Sequence, residues 1–269
     1  MRMYGTSRAD LPAPDHAPKL LIADEVGLGK TIQAGLLIRQ MLLAGKLHRC
    51  RVLAPASVVN QWQAELREKF ALDWPVYDGK CLRQYDVVAR QMVERPVTVE
   101  QWKQEPFALV SSHLMRRKER QDELLNCEPF DLIIVDEAHH ARVNRSGNRK
   151  AANRLMGLLR QLRYRTKGLV LLSATPLQTS EMDLYDLLSV LGLPQAWDEE
   201  SFQHYFEDLS AGPLTKERME RCVGLFQATE VTYGSIPDEW AAILGSAEGR
   251  KKPLGLVERR KVLEALRSP

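Results

Sequence analysis

The chain has 269 residues, 44% hydrophobic and 27% charged, a composition that fits an ordinary globular protein: one large domain, or a domain with an appendage. A net charge of only +3 excludes a global electrostatic case for nucleic-acid binding, so any such case must be local. The four cysteines, Cys50, Cys81, Cys127 and Cys222, form no CxxC pair, which argues against a zinc site or disulfide framework and suits a reducing cytoplasm; no apolar run approaches the ~18 residues of a membrane span.

From residue 19 onward, apolar runs alternate with amphipathic stretches. KLLIA (19–23) reads as a strand and TIQAGLLIRQMLLAG (31–45) as a helix closed by Gly45. CRVLAP (50–55) is the next strand, stopped by Pro55, and VVNQWQAELREKF (58–70) the next helix. Residues 72–106 mix short strand-like pieces with a helix expected near Gln84–Glu94. FALVSS (107–112) predicts a strand and HLMRRKERQDELLN (113–126) an amphipathic helix. FDLIIVDEAHH (130–140) carries the unbroken apolar run of a fully buried strand. A helix over about 149–163, the strand GLVLLSAT (168–175) and the helix EMDLYDLLSVLG (181–192) come next. This alternation predicts an α/β fold, a parallel sheet covered by helices on both faces. Beyond Leu193, PQAWDEESFQHYFEDL and TKERMERCVGLF predict short helices, and the tail from Val231 is rich in turn residues. The expected organisation is an N-terminal extension (1–18), an α/β lobe (19–210) and a helical or partly disordered appendage (211–269).

One stretch, LIADEVGLGKTIQAG (21–35), has the pattern of a strand, a tight glycine turn and a helix. Backbone N–H groups and the positive end of a helix dipole converge in such a turn, which cradles phosphate. Gly27 and Gly29 let the backbone approach closely, Lys30 reaches β and γ phosphates, and the Thr31 hydroxyl can ligate magnesium. The general phosphate-loop pattern wants a glycine where Asp24 stands, so the match is to a shorter form. Ligands of parallel α/β sheets bind at the carboxyl ends of the strands. A carboxylate partner is therefore expected at another strand end, and LIIVDEAHH supplies Asp136 for magnesium and Glu137 to deprotonate an attacking water. In LLSATPLQ, Ser173 and Thr175 close a third buried strand, where their hydroxyls can bond to the Asp-Glu-Ala-His segment. Taken singly, each stretch also reads as a plain turn.

Between Ala138 and Ser180 there is no Asp or Glu, whereas Arg142, Arg145, Arg149, Lys150, Arg154, Arg160, Arg163, Arg165 and Lys167 all fall inside. A solvated basic helix face is the ordinary explanation; a nucleic-acid or partner surface is the functional one. His113 and His140 lack metal-ligand spacing and read as structural, and Trp62 and Trp102 as packing residues.

DEVGLGKT, DEAHH and LSATPLQ resemble motifs I, II and III of superfamily-two helicases, in the wording of bacterial Swi/Snf-like ATPases. VLAPASVVNQWQAEL is similar to motif Ia at Pro55, Ser57, Trp62 and Glu65, and FALVSSHLMRR to motif Ib with Ser111 and Ser112. The helical pattern through Leu184, Leu187, Leu188, Leu191, Pro194, Phe202 and Phe206 also looks like the family's. The resemblance implies a RecA-like lobe that hydrolyses ATP with Mg2+ and tracks duplex DNA in a bacterial cytoplasm or nucleoid. By the same resemblance, Asp24, Gly27, Leu28, Gly29, Lys30 and Thr31 hold nucleotide, Thr31 and Asp136 the metal, and Lys30 and Glu137 act in catalysis. His139, Ser173 and Thr175 would couple nucleotide state to DNA, and Pro55, Ser57, Ser111 and Ser112, with Arg145 and Arg149 from the basic stretch, would touch it. The family also has an upstream adenine-reading helix and a second RecA-like lobe with completing arginines. Residues 1–18 offer no clear copy of the first and residues after 210 none of the second, so that lobe is expected as a partner, in a longer chain or another subunit. Rival readings are a strand-separating helicase of restriction or phage defence and a non-hydrolysing regulatory module.

Overall fold

In the computed structural model, residues 17–23, 29–146, 149–174, 180–210 and 215–233 are described. The chain divides into two compact units, residues 1–176 and 177–269, and each is taken by itself. The first unit is built on an eight-stranded sheet: β1 (Lys19–Ala23), β10 (Thr166–Ser173), β7 (Phe130–Val135), β2 (Cys50–Ala54), β6 (Phe107–Ser111), β3 (Val76–Tyr77), β4 (Cys81–Asp86) and β5 (Gln91–Pro96), in that spatial order. Pairing is parallel from β1 to β3 and antiparallel from β3 through β4 to β5.

The central strands are apolar throughout because both of their faces are covered. On one face, Val52, Ala54, Leu109, Leu132, Ile134, Val170 and Leu172 pack with α1 (Lys30–Leu43) and α2 (Val59–Phe70) through Ala34, Ile38, Trp62, Leu66 and Phe70. The alternate residues Leu53, Ala108, Val110, Ile133, Val135 and Leu171 are equally buried. Buried side chains of α3 (Val99–Gln104), α4 (Lys118–Leu125) and α5 (Arg154–Leu162), including Trp102, Leu124 and Leu158, complete the interior. Arg51 is enclosed without a carboxylate. Its guanidinium donates to the carbonyls of Trp102, Glu105 and Pro106 at the C-terminal end of α3 and to that of Cys50 on β2, and lies 4.5 Å from the Trp102 ring centre. Burial lowers its pKa to about 10, so it stays charged at neutral pH and staples α3 to β2.

Three expected helices differ. Around Gln84–Glu94 the chain forms the β4–β5 hairpin, because the Asp86 carboxylate accepts the N–H groups of Val88 and Ala89 and Arg90 takes φ 53°, which turns the chain back. The stretch 113–126 breaks at Arg117, which is extended between a 3-10 turn (Leu114–Arg116) and α4. The segment 149–163 starts as a strand: β8 (Val143–Ser146) and β9 (Arg149–Ala152) make a separate hairpin, and α5 begins only after Asn153, whose side chain caps it by accepting the Met156 N–H.

The second unit holds α6 (Glu181–Leu191), α7 (Glu199–Ser210) and α8 (Lys216–Tyr233). Its core gathers Trp197, Phe202, Tyr205 and Cys222, with Tyr185, Phe206 and Phe226 packed against them. Trp197 donates its indole N–H to the Thr229 hydroxyl at 2.8 Å, and Asp208 pairs with Arg218 and Arg221. Among the described residues no helix is long and apolar enough to cross a membrane.

Gly35 of α1 faces the Phe70 ring of α2: a Cβ there would overlap the ring, which packs on the bare glycine backbone. We expect Gly35→Ala to destabilise the first unit by about 1–3 kcal/mol despite alanine's better helix propensity, because the ring must shift. Urea unfolding checks this; a variant as stable as the parent would show that α2 yields freely.

Candidate nucleotide site

The parallel register brings the sequence motifs to one edge. Ala23 pairs with Ser173, Leu171 with Val135, Val135 with Leu53, and Ala54 with Ser111. The carboxyl ends of β1, β10, β7, β2 and β6 therefore lie side by side, at the edge where α/β sheets bind ligands.

At the β1 end, α1 starts at Lys30 with Gly29 as its N-cap in the left-handed region (φ 86°, ψ 31°) and no side chain capping it. Only glycine takes that conformation without strain, and an uncapped helix start presents N–H groups suited to an anion. Lys30 and Thr31 occupy the first turn, both half-buried. Asp24, Gly27, Leu28 and Thr175 lie outside the described residues.

At the β7 end, Asp136 is buried and doubly held. Its Oδ1 accepts the Glu137 N–H at 2.9 Å, and its Oδ2 accepts the indole N–H of Trp62 at 2.8 Å. The Asp136 N–H in turn donates to the Leu53 carbonyl at 2.8 Å. Glu137 comes next at φ 51°, a left-handed conformation that a non-glycine residue keeps only when its surroundings impose it. Burial, and then the Asp136 carboxylate, push the Glu137 carboxyl above the ordinary glutamate range, while the Lys30 ammonium and His140 pull the other way. Lys30 thus acts on the acid pair across the strand ends.

His139 links the second and third motifs. Its Nδ1 lies 3.1 Å from Glu137 Oε2 and 3.4 Å from the Ser173 hydroxyl. Burial, then Arg142, depress its pKa, which favours the neutral ring. Ser173 is fully buried. The expected bond from a hydroxyl of that strand to the acidic segment is thus made through His139.

Of the remaining expected residues, Ser57 is exposed and Ser111 half-buried, whereas Pro55 and Ser112 are inside. The Pro55 carbonyl accepts the N–H groups of Val58 and Val59 as α2 begins, and the Ser112 N–H donates to Ala54 at 2.8 Å. Arg145 lies on β8, its guanidinium 3.4 Å from the Val143 carbonyl, and Arg149 lies on β9. Two residues escape a reading of the sequence. Asn153 caps α5 and donates to the His140 carbonyl at 2.7 Å, tying the acidic turn to the next helix; an Asn directly before an apolar helical run was the available signal. Trp62 is buried as expected, yet it bonds to a carboxylate 74 residues away, which no local pattern announces.

The donor set fits a magnesium nucleotide: a helix start with glycine at its N-cap and a lysine in its first turn, on the same sheet edge as a carboxylate fixed from behind with lone pairs remaining. No cluster of three or more His, Cys, Asp or Glu residues suited to holding an ion directly exists among the described residues.

Comparison with known proteins agrees with this geometry. The SNF2-related domain family matches residues 15–230. Two curated relatives, the RNA polymerase-associated proteins RapA of Yersinia pestis (strain Pestoides F) and Yersinia pseudotuberculosis serotype O:1b (strain IP 31758), are 34% identical over 187 residues, 70% of this chain and 18% of each relative. The chain thus spans about a fifth of the length of those relatives. Among solved structures, the SWI2/SNF2 ATPase core of Sulfolobus solfataricus in complex with double-stranded DNA superimposes with a TM-score of 0.51 at 20% identity, covering 77% of this chain and 38% of that one. That likeness is one of fold.

Proposed function

Because this chain belongs to the SNF2-related family, the Swi/Snf-like branch of the superfamily-two helicases, we propose that it is the first RecA-like, ATP-hydrolysing lobe of a translocase that moves on duplex DNA. The observation that carries the reading is the placement of Lys30 after β1 and of the Asp136–Glu137 pair after β7, two strands that flank β10 in one sheet. In this reading Gly29, Lys30 and Thr31 hold the phosphates, with Thr31 and Asp136 toward magnesium. Magnesium, when bound, offsets phosphate charge. Asp136, pinned by two donors, presents a fixed carboxylate, and Glu137 takes the proton of the attacking water. His139, between Glu137 and Ser173, is placed to report the state of that base to the β10 end. Duplex DNA as the track is supported by the exposed Ser57 and half-buried Ser111 at the same edge, and by the Sulfolobus relative in fold, which was solved with double-stranded DNA.

Lys30→Ala should weaken MgATP binding by about 10–100-fold, the worth of one charge-assisted contact, whereas Glu137→Gln should leave binding intact and slow turnover by roughly 10²–10⁴. Calorimetry and single-turnover phosphate release separate the two; identical behaviour of the variants would refute this division of roles.

For the partner we propose a second RecA-like lobe, in a longer chain or another subunit. An arginine delivered across the nucleotide is worth roughly 10³–10⁵ in phosphoryl transfer. The 269-residue chain alone should therefore bind MgATP yet hydrolyse it slowly, with little response to duplex DNA, and regain DNA-dependent turnover when the second lobe is supplied. Strong DNA-stimulated turnover by the verified monomer would overturn this.

The basic segment is assigned to weak, sequence-independent binding of phosphate. Reversing Arg145, Arg149 and Arg154 to Glu should flatten the slope of log affinity against log salt by about one unit for each phosphate no longer neutralised. An unchanged slope returns the segment to a solvated face.

A further inference from the structure

We propose that Trp62 is a positioning residue for the nucleotide site: its indole N–H orients the Asp136 carboxylate and couples the start of α2 to the metal-binding end of β7. The inference rests on the reading above, in which Asp136 faces magnesium, and concerns how that face is controlled.

Packing does not call for the nitrogen. Trp62 is 2% exposed and sits in the apolar cluster between α2 and the sheet, where a phenyl ring would fill most of the same space. The indole N–H instead finds the Asp136 carboxylate at the sheet edge, at 2.8 Å. It is a donor only and cannot exchange roles. With the Glu137 N–H on the other oxygen at 2.9 Å, the carboxylate is held at both atoms and its plane is set. The remaining lone pairs then point where these two donors leave room.

The same indole belongs to a short mechanical path. The Pro55 carbonyl receives the N–H groups of Val58 and Val59, and the backbone N–H of Trp62 donates to the Val58 carbonyl at 2.9 Å. Exposed Ser57, in the turn before α2, and buried Trp62, in its first turn, therefore flank the start of the helix. A phosphate contact at Ser57 would bear on the same helix start that carries the donor to Asp136. A displacement of the α2 start reaches the carboxylate directly, without passing through the sheet.

The test uses the 269-residue chain with Trp62→Phe, which keeps an aromatic ring and deletes the donor. Calorimetry measures ATP affinity in EDTA and across a Mg2+ titration. Outer partners of metal-binding side chains are typically worth about 10–100-fold in metal affinity. The Mg2+ concentration for half-maximal tightening should therefore rise about tenfold, while affinity in EDTA stays within about twofold. A purely structural tryptophan would move both alike. In an Asp136→Asn background, Trp62→Phe should add nothing to the Mg2+ dependence, since the cycle measures the coupling of the pair. An unchanged Mg2+ requirement, equal losses with and without Mg2+, or additive effects in the cycle would each overturn the proposal while leaving the nucleotide-site reading standing. A parent chain whose nucleotide binding ignores Mg2+ would overturn both. Should Trp62→Phe fail to fold, benzothienylalanine at position 62, the indole's isostere without an N–H, carries the same expectation.

Discussion

The site depends on the parallel pairing of β7 with its two neighbours. β7 pairs in parallel register with β10 on one side and β2 on the other, and its apolar run, buried on both faces, ends at Asp136. A slip of one residue would draw Asp136 into the interior and carry Glu137 off the strand end. The hydrogen bond from the Asp136 N–H to the Leu53 carbonyl extends that register one residue past the strand proper. The left-handed turn at Glu137 then ends it. Strain at Glu137 is kept because the strand before it and the His139 contact after it leave the backbone no easier path.

Two adjacent carboxylates near a sheet edge repel, and burial adds to the cost. Burial first, and then the adjacent Asp136 carboxylate, raise the Glu137 carboxyl's pKa. The burden is divided unevenly: Asp136 takes the indole and a backbone N–H, while Glu137 has the His139 ring 3.1 Å from its Oε2. A base whose proton affinity is raised is a better proton acceptor, so the crowding that strains the pair also suits Glu137 to its proposed task. Lys30 tempers the effect from the β1 end, so the charge of the first motif is part of the environment of the second.

The residues legible in the sequence are those whose physics is local. Buried parallel strands announce themselves as apolar runs, and β2, β6, β7 and β10 lie within two residues of the expected ends. The β4–β5 hairpin is not legible: Tyr85, Val88 and Met92 imitate a helical stripe, and the turn is made by one carboxylate on two backbone N–H groups and by Arg90 at positive φ. Such a bond leaves no periodic trace. Likewise residues 149–163, inside the acid-free stretch, read as one helix because their charges mask where the apolar face begins, and Asn153 alone marks the start of α5. Trp62 shows the limit most clearly, since burial predicts packing and says nothing of where a polar tip points.

That same acid-free stretch uses some of its cations on backbone carbonyls. Arg142 donates to the carbonyl of His139 and Arg165 to that of Cys127, whereas Lys167 reaches back to the Asp131 carboxylate. A carbonyl satisfies a guanidinium's hydrogen bonds but does not neutralise its charge. Arg142 therefore braces the turn after the acid pair, and Arg165 the approach to β7, while each still contributes to a positive field. In an ion pair such as that of Lys167, the second property is cancelled. Holding the backbone and attracting phosphate are compatible in one side chain only when its partner is uncharged. The absence of Asp and Glu between Ala138 and Ser180 keeps the local supply of charged partners low, and so favours that combination here.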